Sequence, residues 1–150
     1  MRLSILALLA PALFVLATPA AGAQVAPYVG YNTQHETPLV GAAYVAPITD
    51  AVALNPSVEV GVGGNEGYVQ ASADVTVSAG AGTFAPYVGA GVTAGRMPMN
   101  GDTKWRAGAN ALVGARIEGL GGFVPFAQLR YTVVGGGDAG SLMAGAAFRF

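Results

Sequence analysis

The sequence predicts an all-β fold: an antiparallel, up-and-down transmembrane β-barrel, most simply of eight strands. Three observations carry that prediction. Apolar and polar residues alternate with a period of two over stretches of strand length, and glycine-rich turn segments punctuate the alternation at hairpin spacing. Hydrophobic residues make up 53% of the 150 and charged residues 10%, yet beyond the first two dozen residues no run approaches a transmembrane helix. A chain of that kind can cross hydrocarbon with every backbone group paired only as a closed barrel, whose strands need about 9 to 11 residues each. Twenty-three glycines and many alanines suit a narrow lumen and tight turns, and they would weaken long helices.

At the amino end, Arg2 precedes an apolar run from Leu3 to Ala17, and Ala21-Gly22-Ala23 forms a small-x-small cleavage site before Gln24. Residues 1–23 therefore read as a removable secretory signal and 24–150 as the barrel. A single spanning helix is the competing reading, but Pro11 and Pro19 interrupt a run already short of about 20 apolar residues. The chain has no cysteine, which excludes a lipid-anchored lipoprotein, disulfide staples and thiolate metal sites.

The strands follow in order at about 25–34, 39–46, 53–63, 67–79, 83–95, 104–117, 123–134 and 141–150. The clearest is the fourth, where Tyr68, Gln70, Ser72, Asp74, Thr76 and Ser78 alternate with Val69, Ala71, Ala73, Val75 and Val77. The sixth puts Trp105, Ala107, Ala109, Ala111, Val113, Ala115 and Ile117 on one face, with Arg106, Asn110 and Arg116 opposite. In the third, Pro56, Val58, Val60 and Val62 oppose Asn55, Ser57, Glu59 and Gly61. The second shows least pattern, because both of its faces are apolar. Period alone does not say whether each apolar face meets a protein core or lipid.

The carboxy terminus addresses that question. Gly145-Ala146-Ala147-Phe148-Arg149-Phe150 places a glycine, an aromatic three residues on and a final aromatic in register, with Met143 where a polar residue usually stands. This resembles the terminal strand signal of outer-membrane β-barrels, and with the leader and the eight strands the mature chain is similar to the OmpA/OmpX/OmpW-like family of the porin superfamily. The resemblance implies a Gram-negative-type outer membrane, contact with its lipid and lipopolysaccharide, and folding through periplasmic chaperones and the barrel-assembly machinery. It also implies a non-enzymatic envelope role in membrane integrity or surface interaction. The alternatives are a narrow channel or transporter for small or hydrophobic solutes and, more remotely, a lipid A deacylase or acyltransferase.

An internal repeat fits this topology. Ala26-Pro27-Tyr28-Val29-Gly30, Ala85-Pro86-Tyr87-Val88-Gly89 and Val124-Pro125-Phe126-Ala127 share a pattern, with Asn55-Pro56-Ser57-Val58 a weaker copy. With a periplasmic amino terminus the four prolines fall near the starts of the outward-running strands, ringing the periplasmic rim, where a missing ladder donor costs least. Lipid-facing aromatics belong at the two interfaces. Tyr31, Trp105 and Tyr131 fall toward outer strand ends, and Phe84, Phe123, Phe148 and Phe150 toward periplasmic ends. A soluble lipocalin-like barrel, apolar inside, would have no use for two such girdles.

The faces assigned to the lumen carry Glu59, Asp74, Arg106, Arg116, Arg130 and Arg149, with Asn110, Gln128 and Tyr87 among them. An eight-stranded barrel is nearly filled by side chains, and unpaired charge there is costly, so Glu59 and Asp74 are expected to pair with Arg116 or Arg130. Such a network would plug and brace the lumen; lining a narrow ion path is the alternative. The outer loops are short (34–38, 63–67, 95–103 and 135–140), which argues against an adhesin, and hold one acid each: Glu36, Glu66, Asp102 and Asp138. These suit a solvated rim, or a weak divalent-cation bridge to lipopolysaccharide phosphates. His35, the single histidine, could serve a serine mechanism only with Ser141, and no local motif joins them. Gly135-Gly136-Gly137-Asp138-Ala139-Gly140 matches G-x-G-x-x-G formally but lacks the following helix, so it reads as a turn. No cofactor or metal is expected with one histidine and no cysteine, and a net charge of −1 offers no footprint for nucleic acid.

Overall fold

A computed structural model describes residues 21–63, 67–80, 82–99, 102–135 and 137–150. Of the expected signal segment only Ala21, Gly22 and Ala23 are among them; the rest lies outside the described residues.

Eight strands follow one another: β1 (Gln24–Asn32), β2 (Thr37–Pro47), β3 (Val52–Gly61), β4 (Val69–Ser78), β5 (Phe84–Met99), β6 (Asp102–Ile117), β7 (Phe123–Val134) and β8 (Gly137–Arg149). Each pairs antiparallel with the next, and β8 returns to β1 to close the barrel. The short connections after β2, β4 and β6 share the end where β1 begins and β8 finishes, hereafter the turn end. The connections after β1, β3, β5 and β7 lie at the opposite, loop end. Among the described residues no helix is long and apolar enough to cross a membrane, and a barrel crosses with strands instead.

The strand boundaries depart from the sequence expectation chiefly at two places. β5 continues to Met99, and β8 begins at Gly137. Pro98 and the glycines break the side-chain alternation, so the period reads as loop. The backbone ladder needs no such alternation, and it carries on through Met97↔Lys104 and Pro98↔Thr103 in one hairpin and Val133↔Asp138 and Val134↔Gly137 in the other. The segments 95–103 and 135–140, expected as loops, are therefore largely strand. The repeat prolines sit inside their strands, at the third to fifth residue, with Pro27, Pro56, Pro86 and Pro125 all at outward positions. They form a ring displaced inward from the rim itself.

Side-chain direction is inverted relative to a water-soluble barrel. Away from the loop end, where Arg96, Thr103 and Asp138 take outward positions, the outward positions are apolar, among them Val29, Val40, Val60, Val75, Val92, Val113, Leu129 and Leu142, all exposed. The inward positions hold the buried polar residues Asn32, Ser57, Glu59, Gln70, Asp74, Thr93, Asn110, Arg130 and Thr132. The lumen is narrow enough that large inward rings need glycine opposite them. A Cβ on Gly41 would stand 2.5 Å from the Tyr28 ring, one on Gly61 2.4 Å from Tyr68, and one on Gly114 2.5 Å from Tyr87. Each tyrosine thus lies across a bare stretch of a neighbouring strand, filling space that two side chains could not share. Near the loop end Leu39, Tyr68, Val134 and Met143 pack together with Tyr28, while Ala26, Val124 and Ala147 form a second apolar cluster toward the turns.

Candidate functional site

The chemistry of this chain converges at mid-barrel on Arg130. From β7 its guanidinium reaches across the lumen, Nη1 donating to Glu59 Oε2 on β3 at 2.9 Å and Nη2 to Asp74 Oδ2 on β4 at 3.2 Å. Strands β3 and β7 are four apart in a ring of eight, so this contact spans the barrel's full width. All three groups are buried. Tyr28 Oη donates to Glu59 Oε2 at 3.1 Å and Tyr68 Oη to Glu59 Oε1 at 3.3 Å. Asn110 Nδ2 donates to Asp74 Oδ1 at 2.9 Å, and Asn110 Oδ1 accepts from the Thr132 hydroxyl at 2.9 Å. Each of the four carboxylate oxygens therefore has at least one donor, which is the condition under which buried charge is tolerated. Gly91 makes room for Asp74: a Cβ there would lie 2.3 Å from Oδ1.

The six charges expected to share one lumen network separate into three groups. Glu59, Asp74 and Arg130 form the central cross-brace. Arg116 does not reach it, because it lies farther down β6, where it pairs with Glu118 Oε1 at 2.7 Å. Arg149 Nη2 meets the same carboxylate at Oε2, 2.5 Å away, so Arg116, Glu118 and Arg149 make a second, half-exposed cluster at the turn end. Arg106, near the loop end, donates from Nη1 to the Gly135 carbonyl at 2.7 Å. Sequence reasoning missed Glu118 because it stands one residue beyond β6, although it continues the inward parity of Arg116. It also passed over Tyr28 and Tyr68 as network members, and their inward parity was the signal available.

The seven aromatic residues expected at the two interfaces are all at outward positions. Tyr31, Trp105 and Tyr131 lie toward the loop end, and Phe84, Phe123, Phe148 and Phe150 toward the turn end. Phe123 pairs in register with Phe148, ring centroids 5.6 Å apart. Gly145 of the terminal motif faces Tyr28 across the seam, where a Cβ would come within 2.3 Å of the Pro27 carbonyl oxygen. A side chain there would force the β1 and β8 backbones to shift apart.

The remaining candidates lie at the loop end. Ser141 points into the lumen, where its hydroxyl accepts from Asn32 Nδ2 at 3.4 Å, and the His35 ring lies against Tyr68 with centroids 5.2 Å apart. The serine is thus turned away from the rim, the reverse of what an exposed nucleophile needs. Of the loop acids, Asp138 accepts from the Tyr131 hydroxyl, Glu36 occupies a turn at φ 46°, and Glu66 and the side chain of Asp102 lie outside the described residues. Among the described residues no group of His, Cys, Asp or Glu is placed to hold a metal ion.

No protein-family model matches this sequence, and no curated protein matches it. The fold does have relatives among solved structures. The N-terminal β-barrel domain of Pseudomonas aeruginosa OprF superposes with a TM-score of 0.75 at 19% identity, covering 89% of this chain and 100% of that one. Neisserial surface protein A gives 0.58 at 16% identity over 85% of this chain and 94% of its own, and the outer membrane enzyme PagL 0.58 at 12% over 85% and 99%. The chain has the fold of the small eight-stranded outer-membrane β-barrels.

Proposed function

We propose that this chain is a non-enzymatic, integral outer-membrane barrel that serves the cell envelope as a structural and surface component, with its lumen braced rather than open. The observation that carries the reading is the inversion of its faces. Apolar side chains cover the outside of all eight strands, whereas ion pairs and hydrogen-bonded polar groups occupy the inside. In water such a surface would far exceed the apolar patches that monomers tolerate. In a bilayer it is the expected lipid face, bounded by the aromatic rings at either end. The likeness to OprF's barrel domain supports the location, and likeness to an enzyme of the same fold carries no chemistry across, since function resides in sites.

Lipid, including lipopolysaccharide, is then the partner of the outer face, and chaperone-assisted insertion the route by which so apolar a surface reaches it. The test is electrophoretic. Unboiled protein in detergent should migrate differently from boiled protein, and the protein should need detergent to stay in solution. Identical migration with solubility in plain buffer would overturn the membrane assignment. Planar-bilayer recording addresses the lumen: no resolved single-channel steps are expected, and clear, reproducible ones would favour the channel reading.

A further inference from the structure

The two halves of the lumen differ. From the Arg130 cluster toward the loop end, Leu39, Tyr68 and Met143 are each 1% exposed and pack in one apolar cluster. On the turn side of the same cluster lies an internal cavity of about 70 Å³, with Arg130 and Asp74 at its floor and Asn55, Ser57, Tyr87 and Gln128 on its polar wall. It shares Gln24, Val45 and Arg116 with a wider recess of about 500 Å³ at the turn-end mouth.

Two further facts bear on what fills it. Arg130 Nε is buried and has no hydrogen-bond partner, although both Nη atoms are engaged. A buried donor beside a cavity of mixed apolar and polar lining is costly unless something accepts from it, and a water takes about 30 Å³ and asks for two to four polar partners. The charges also limit the occupant. The charged side chains lining the cavity are Asp74, Arg116 and Arg130, and with Glu59 behind Arg130 their formal charges cancel, which favours neither an anion nor a cation. At the mouth Arg116 and Arg149 stand against Glu118 and Asp50, leaving no net charge.

We propose that the turn-side half of the lumen is a hydrated, dead-end vestibule, a site for water and small neutral polar solutes, entered from the turn end and closed toward the loop end by the Leu39–Tyr68–Met143 apolar seal. The barrier to passage is then the apolar seal together with the cross-brace, and access is one-sided. That the turn end faces the periplasm rests on the outer-membrane function proposed above together with the periplasmic amino terminus expected from the sequence; the one-sidedness does not.

The absence of cysteine gives a clean test. Single variants Ser57→Cys (vestibule wall), Leu39→Cys (seal), Thr49→Cys (turn end) and Gln34→Cys (loop end) are reconstituted in uniformly oriented vesicles. Each is exposed briefly to silver nitrate on one side in chloride-free buffer, then unfolded and titrated with a maleimide. Silver should protect Ser57→Cys from the side that protects Thr49→Cys and not from the side that protects Gln34→Cys, while Leu39→Cys stays maleimide-reactive throughout. Adding Leu39→Ala and Met143→Ala should make Ser57→Cys protectable from both sides. Gel mobility checks that each variant is a folded barrel. Protection of Ser57→Cys from the loop side in the intact seal, or from neither side, overturns the proposal. If protection is one-sided but Thr49→Cys is labelled at the surface of intact cells, the assigned orientation fails and the vestibule stands.

Discussion

Arg130 is the residue on which the interior depends, because two buried carboxylates on different strands share its one positive charge. Arg130→Met removes that charge and leaves the buried Glu59 and Asp74 without their counter-charge, at an expected cost of about 3–5 kcal/mol. The urea midpoint of the heat-modifiable gel band should fall accordingly. The triple variant Glu59→Gln, Asp74→Asn, Arg130→Met should recover much of that loss, since it removes the uncompensated charge as well as the pair; a triple variant no more stable than Arg130→Met would refute this electrostatic account. That these residues lie inside was legible in the sequence, because each sits on the polar side of a two-residue period. Which of them meet was not. Arg116 and Arg130 are equivalent candidates by parity, and only the stagger of β6 against β7, with Leu112 opposite Arg130 and Arg116 opposite Phe126, puts Arg116 at the turn end with Glu118.

At the level of the strands, the decisive contact is the seam between β1 and β8, the ladder with the largest sequence separation. Gly145 lies where a Cβ would meet a backbone oxygen at 2.3 Å, and backbone cannot rotate away as a side chain can. Gly145→Val should therefore destabilise closure by about 1–3 kcal/mol or displace the seam, seen as a lost fraction of the fast-migrating folded band. Gly135→Ala, at a position with open space around it, should stay within about 0.5 kcal/mol of the parent in the same assay. Strand number and most strand limits follow from the period, as β7 at Phe123–Val134 illustrates. The β5–β6 hairpin and the start of β8 did not, because proline, methionine and glycine suspend the alternation while the backbone ladder continues through them.

For the whole molecule, the inverted arrangement of faces predicts that a charge placed outside costs more than its size would suggest. Ala127 lies on the outward face of β7, between Phe123 and Tyr131. In a lipid bilayer Ala127→Arg should lower stability by about 2–4 kcal/mol. In a soluble barrel the same change at an exposed alanine would be nearly silent, so comparing parent and variant urea midpoints in lipid vesicles tests the membrane reading at one position. The sequence by itself determined that the chain alternates, that it forms eight strands with polar residues on one side and apolar on the other, and that aromatics gather at strand ends. Those are properties of a two-residue repeat, local to each strand. Only the tertiary structure decided which charges pair, which glycines admit a tyrosine, and where the lumen is filled and where it is hollow. These depend on the stagger between strands around a closed ring, and stagger is set by all eight ladders together rather than by any one segment.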